Sequence, residues 1–167
     1  FFDRVYSDGI DKYIDRLKAI DFLGKQKVLD AGCGFGQWSF ALSELNHSVE
    51  AFDFSSKRVE VCNGLNEVYA KNNISFQKAD LEKIPFPDNH FDLVFCYSTI
   101  FITNPEVSFN ELFRILKKGG RLYINMNDLG WYLHNLENKV NDAQDYSSKE
   151  MAIDAIENSF NFFLFGK

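Results

Sequence analysis

The stretch VLDAGCGFGQWS, from Val28 to Ser39, places glycines at positions 32, 34 and 36, directly behind a short apolar run that ends in an acid. Glycine inside a regular element costs roughly 0.5–1 kcal/mol relative to alanine. Three together imply a backbone shape, or a close approach to something, that side chains would prevent. A strand, a glycine-rich turn and a helix form the layout in which a ligand meets the carboxyl ends of parallel strands, and nucleotide-like ligands are the usual occupants. The spacing narrows the kind of ligand. A dinucleotide fingerprint needs G-x-G-x-x-G, whereas Gly32-Cys33-Gly34-Phe35-Gly36 is G-x-G-x-G and Gln37 stands where the last glycine would fall. The Gly-Lys-Ser/Thr ending of a phosphate-binding loop is missing too.

The rest of the pattern sets this turn in an α/β frame. Ile10, Tyr13, Ile14, Leu17 and Ile20 recur at helical spacing over about 8–22, before a short buried strand at Lys27 to Asp30. Trp38, Ala41, Leu42 and Leu45 return to a helical period. Strands are predicted at Ser48 to Asp53, Ile74 to Lys78, Asp92 to Cys96 and Gly120 to Met126. Helices are predicted at about 55–71, with Val59, Leu65 and Val68 inward, and at Glu106 to Leu116. Apolar strands alternating with helices predict a Rossmann-like, mainly parallel, doubly wound sheet with helices on both faces.

The pattern reads as one domain over 1–167: a helical segment at 1–22, a Rossmann-like core at 23–126 and a helical lid or acceptor segment at 127–167. Five strands leave the second half of a doubly wound sheet short, so C-terminal strands are expected to be missing from this chain.

Composition excludes several classes. A hydrophobic fraction of 46% with 18 phenylalanines argues for a packed core. A net charge of −6 weighs against a nucleic-acid surface, which needs a basic patch. The three cysteines, Cys33, Cys62 and Cys96, lack the spacing of a disulfide framework or a zinc site, so a reduced, cytoplasmic setting without a metal is expected. No apolar run reaches the ~20 residues of a membrane helix.

The second strand ends in Asp53, about 20 residues after the first glycine, where an acid at the sheet edge can accept from both ribose hydroxyls of a nucleotide. The alternative is a helix cap, since Ser55, Ser56 and an incoming helix follow.

With those residues in place, VLDAGCGFG, AFDFS, KADLEKIPF, FDLVFCYSTI and LKKGGRLYI, in that order, resemble the successive motifs of class I S-adenosylmethionine-dependent methyltransferases, nearest the small-molecule "type 11" group. The resemblance covers about 28–126. It implies S-adenosylmethionine as cofactor and S-adenosylhomocysteine as product. It implies that Gly32, Cys33 and Gly34 line the methionine and ribose portion through their backbone, and that Asp30 anchors the loop and biases it toward the ligand's ammonium. Asp53 would hold the ribose and Phe54 would lie against the adenine. Asp80 would accept from the adenine amino group, with the Leu81 amide at a ring nitrogen, and Cys96 would offer its carbonyl to the ammonium. Apart from the resemblance, Asp80 is an ordinary solvated acid, Phe54 reads equally as core, and Cys33 and Cys96 are small buried hydrophobes.

The implied activity is methyl transfer to a small-molecule or sugar-like acceptor, to oxygen or nitrogen rather than carbon. Many relatives carry histidine or glutamate just after the fourth strand. Here Phe101 and Ile102 stand there, so no base carries over, and an apolar wall near the methyl is expected. His47 and His90 fall at the opposite end of the sheet. That leaves His134, in GWYLHNLEN, as the candidate base. Trp131, Tyr132 and His134 are expected to face Phe101 and Ile102 across the acceptor gap, and the aromatic C-terminal segment offers a surface for a homodimer. Two competing readings are a nicotinamide-dependent oxidoreductase and a non-catalytic module that binds S-adenosylmethionine for regulation.

Overall fold

The computed structural model describes residues 5–7, 9–125, 132, 136, 149–150, 152–153 and 155–157. Helix α1 spans Asp11–Ala19 and leads into strand β1, Lys27–Ala31. Helix α2 (Gln37–Leu45), strand β2 (Ser48–Asp53), helix α3 (Ser56–Tyr69) and strand β3 (Ile74–Lys78) follow. Strand β4 (Phe91–Tyr97) leads through a 3-10 turn at Ile100–Ile102 to helix α4 (Pro105–Ile115) and strand β5 (Leu116–Asn125).

The five strands form one sheet in the order β3-β2-β1-β4-β5, and every pairing is parallel. The expected doubly wound architecture is therefore present. Each strand alternates its side chains between two cores. Val28, Val49, Ala51, Leu93 and Phe95 pack with Leu17 of α1, Trp38 and Leu42 of α2, and Val59 of α3 on one face. Leu29, Ala31, Phe52, Val94 and Cys96 pack with Leu112 and Ile115 of α4 on the other. Strands covered on both sides cannot be half polar, which is why they read as continuous apolar runs.

Two sequence expectations need correction. Val68 is 78% exposed rather than inward. It lies about two and a half helical turns beyond buried Val59, and so on the opposite face. The Gly119-Gly120 pair does not precede β5 but lies within it. Phe91 pairs with Leu116 and Leu93 with Arg121, so the extra residues bulge out.

Because the order reverses between β1 and β4, the segments leaving those two strands diverge at the carboxyl edge and open a crevice. All five strands deliver their last residues to this edge: Ala31, Asp53, Lys78, Tyr97 and Asn125.

Candidate functional site

The three glycines have positive φ: 78° at Gly32, 57° at Gly34 and 83° at Gly36. Residues with a Cβ rarely adopt these angles. The Gly32 and Cys33 amides both donate to the Phe52 carbonyl, at 2.9 and 2.8 Å, which pins the turn to the end of β2. Gly32 also answers the need for close approach. A Cβ there would lie 2.3 Å from Thr99 Oγ1, which itself points at the Gly32 carbonyl from 3.4 Å across the crevice. Gly34 differs, since a Cβ there would meet no protein atom within 4 Å. The loop's open side is at Gly34, and a ligand can approach the backbone there.

Two carboxylates lie beneath the loop. Asp53 is buried. It accepts from the Gly34 amide and the Ser55 amide, each at 2.9 Å, and pairs with the Arg58 guanidinium at 3.5 Å. Its helix-entry role is thus visible, while its lone pairs outnumber the two amides it serves. The Arg58 guanidinium is also 5.9 Å from the Phe35 ring centroid, and the Phe35 carbonyl accepts from the Tyr6 hydroxyl at 2.6 Å.

Asp30 is 1% exposed and accepts from Ser39 Oγ at 2.5 Å. Burial pushes its carboxyl up to about 7, a shift that Ser39 opposes and nearby Asp53 reinforces. A second cation is the natural relief for two neighbouring buried carboxylates.

The remaining expected residues spread along the same edge. Phe54 is 70% exposed, so it is not core, and Lys78 Nζ lies 5.7 Å from its ring centroid. Asp80 is exposed and accepts from the Glu82 amide at 2.9 Å. Leu81 is buried in the core on the α4 face of the sheet, and among the described residues no acceptor takes its amide. The Cys96 thiol is fully buried, and burial pushes it up to about 12. The Cys33 thiol is raised by its contact with the Cys62 thiol and by burial. Both thiols point at the Gly34 carbonyl, from 4.0 and 3.4 Å, and neither is poised as a nucleophile.

His134 and Trp131 lie outside the described residues. Tyr132 is described, and its ring meets Phe101 edge-on at 5.4 Å in a small core with Ala152 and Ala155. Ile102, by contrast, is 44% exposed. His47 is exposed, and His90 sits before β4, with its Nε2 3.2 Å from Lys27 Nζ. Both stand at the amino end of the sheet, as expected.

Thr99, Arg58, Ser39 and Tyr6 were not anticipated. Ser39 alone had a usable signal, since it follows the glycine turn in the first turn of α2. Next to the site a cavity of about 340 Å³ opens between α1 and the ends of β4 and β5, lined by Arg16, Ala19, Ile20, Trp38, Phe95, Tyr97, Tyr123 and Asn125.

Comparisons with known proteins agree with this geometry. A family model described as "Methyltransferase domain" matches residues 29–124, more than half of the chain. An uncharacterized methyltransferase, YcgJ of Bacillus subtilis, is 28% identical over 123 residues, 73% of this chain and 48% of that one. Its crystal structure superimposes with a TM-score of 0.69 over 77% of this chain and 59% of that one, at 23% identity. The ubiquinone/menaquinone biosynthesis C-methyltransferase UbiE of Pseudomonas aeruginosa is 33% identical over 128 residues, 72% of this chain and 48% of its own. A Haemonchus contortus phosphoethanolamine N-methyltransferase, solved with phosphoethanolamine and S-adenosylhomocysteine, shares the fold at a TM-score of 0.59 and 23% identity, over 73% of this chain and 27% of that one. The chain spans about half the length of the curated relatives it matches. Glycine turn, acid-tipped second strand and family match converge, and the chain belongs to the class I S-adenosylmethionine-dependent methyltransferases.

Proposed function

We propose that this chain is the donor-binding core of an enzyme that transfers a methyl group from S-adenosylmethionine to a small molecule. The observation that carries the reading is the pairing of the open Gly34 backbone with two buried carboxylates, Asp30 and Asp53, at the switch point of the sheet. The donor carries an ammonium and a sulfonium, and a buried carboxyl poised near neutrality suits that cationic guest. Gly32, Cys33 and Gly34 would hold the methionine and ribose portion through their backbone, with Asp53 at the ribose hydroxyls. Phe54 offers an exposed ring for the adenine face, with Asp80 and the Leu81 amide at its polar edge, and the Cys96 carbonyl would take the ammonium.

The bound donor supplies an activated methyl on sulfur. This chain's part is alignment and exclusion of water, which can account for much of the rate. A base is needed only where the acceptor loses a proton from oxygen or nitrogen, the acceptor atoms favoured here, and His134 is the residue proposed for it. The UbiE relative is named a C-methyltransferase, so a carbon acceptor is the second reading.

Calorimetry tests the donor site. S-adenosylhomocysteine is expected to bind one site per chain, and a nicotinamide dinucleotide is expected not to bind. The opposite pattern would make the chain an oxidoreductase domain. Donor binding with no methylated product from any acceptor would favour the regulatory module. Among the described residues no helix is long and apolar enough to cross a membrane, and a small, freely diffusing acceptor is the simplest partner. A homodimer through the aromatic C-terminal segment remains part of the proposal, to be tested by light scattering.

A further inference from the structure

The cavity beside the glycine turn has a chemistry of its own. Its wall is a set of near-parallel rings. Tyr97 and Phe95 lie 9° apart in plane with centroids at 6.1 Å, and Phe95 and Tyr123 lie 8° apart at 4.9 Å. Trp38 leans over Phe95 and Tyr97, 5.0 Å from each. Phe95 is stacked between Tyr97 and Tyr123, so a flat aromatic guest can meet ring edges or extend the stack at the Tyr97 end, in the edge-on or offset geometry that aromatic rings prefer. At the mouth, Arg16 is exposed on α1, and no described acidic residue pairs with its guanidinium.

The other polar groups in the lining also donate. Asn125 uses its Oδ1 to accept from Ser98 Oγ at 2.9 Å, which leaves its Nδ2 available to donate, and the hydroxyls of Tyr97 and Tyr123 bond no described residue. Among the described residues the lining contains no carboxylate. A volume of about 340 Å³ is at the small end for ligand sites, the size for one or two fused rings.

The cavity adjoins the donor loop. Trp38 follows Gly36 by two residues on α2. Asn125 bonds Ser98, whose neighbour Thr99 touches Gly32. From these juxtapositions we infer that the cavity is the acceptor pocket, and that it takes a flat aromatic ring bearing an anionic oxygen substituent, with the anion at Arg16 and the ring on the Tyr97 face. The inference rests on the methyl-transfer reading for the word acceptor, and on the cavity alone for the ligand class.

Two probes of equal shape, 2-naphthoate and its uncharged amide 2-naphthamide, separate the charge from the ring. They would be titrated into the chain by ligand-observed NMR with saturating S-adenosylhomocysteine, and the S-adenosylhomocysteine affinity would be measured on the same samples. Naphthoate is expected to bind at least fivefold tighter than the amide, and Arg16→Gln is expected to weaken naphthoate about tenfold, with little change for the amide. Arg16→Lys should restore part of the preference, and Tyr97→Ala should weaken both probes alike. Arg16→Gln should leave S-adenosylhomocysteine affinity unchanged. Equal binding of the two probes, an unaltered ratio in Arg16→Gln, or tighter binding of a neutral glycoside would overturn the inference while S-adenosylhomocysteine still bound. Failure of S-adenosylhomocysteine to bind, with the naphthoate preference intact, would overturn the donor reading and keep the ligand class.

Discussion

At the residue scale the decisive group is Asp30. Its carboxyl titrates near 7 in the folded chain and near 3.8 when unfolded, chiefly because burial disfavours the charge. Between those values the folded state holds a proton that the unfolded state has lost, so stability should fall as pH rises from about 4 to about 7 and level off above. The accumulated cost is of order 4 kcal/mol, and Asp30→Asn removes it. Thermal melts of Asp30→Asn at about pH 8 should therefore lie several degrees above wild type, with a flatter pH profile. Donor affinity should move the other way. A cationic ligand selects the ionised carboxyl, so S-adenosylmethionine should bind more tightly as pH rises through about 7, and Asp30→Asn should bind weakly throughout. Gly32 makes a second residue-scale prediction. Alanine there would strike Thr99 and strain the backbone, so Gly32→Ala should abolish S-adenosylhomocysteine binding in calorimetry even where the domain still folds.

At the scale of elements, helix α4 shows how the loop after β3 is fixed. Asn104 caps it by accepting from the Val107 amide, and Pro105 opens its first turn. Near its end Arg114 donates to the Ile84 and Phe86 carbonyls at 2.9 and 2.8 Å, while Glu111 accepts from the Ile84 amide at 2.8 Å. The Arg114 guanidinium also holds the Glu111 carboxyl below the usual carboxylate range. Arg114→Ala leaves two carbonyls without their donor and should cost about 2–3 kcal/mol, read as a lower midpoint in urea with an unchanged slope. This locking was not legible beforehand, because nothing in a stretch of sequence says that position 114 reaches back to position 84. The strands were legible, since burial on both faces leaves an unbroken apolar run such as FDLVFCY. The glycine turn was legible, since Gly32 and Gly34 take the positive φ that its spacing implied, and so was the acid that ends β2, Asp53. Thr99 and Arg58 stayed hidden, because their roles exist only once β4 and α3 have been laid against the turn.

Across the whole molecule the donor site joins elements that are distant in the chain, so a bound ligand should stabilise the fold as a unit. S-adenosylhomocysteine at about a hundred times its dissociation constant should add roughly 2.7 kcal/mol, and so raise the melting point by about 5–10 °C. A nicotinamide dinucleotide should leave it unmoved. Charge distinguishes the two forms of the donor. The chain carries −6 overall, and methyl transfer turns a cationic donor into a product without that sulfonium charge. Ionic strength should therefore loosen S-adenosylmethionine more than S-adenosylhomocysteine, because only the former is drawn by long-range attraction. The Arg58–Asp53 pair acts differently. Arg58 occupies part of the coordination that ribose hydroxyls would take, as an internal competitor, and with both side chains largely buried salt screens the pair little. For the product alone, affinity should then stay nearly level from low to moderate salt.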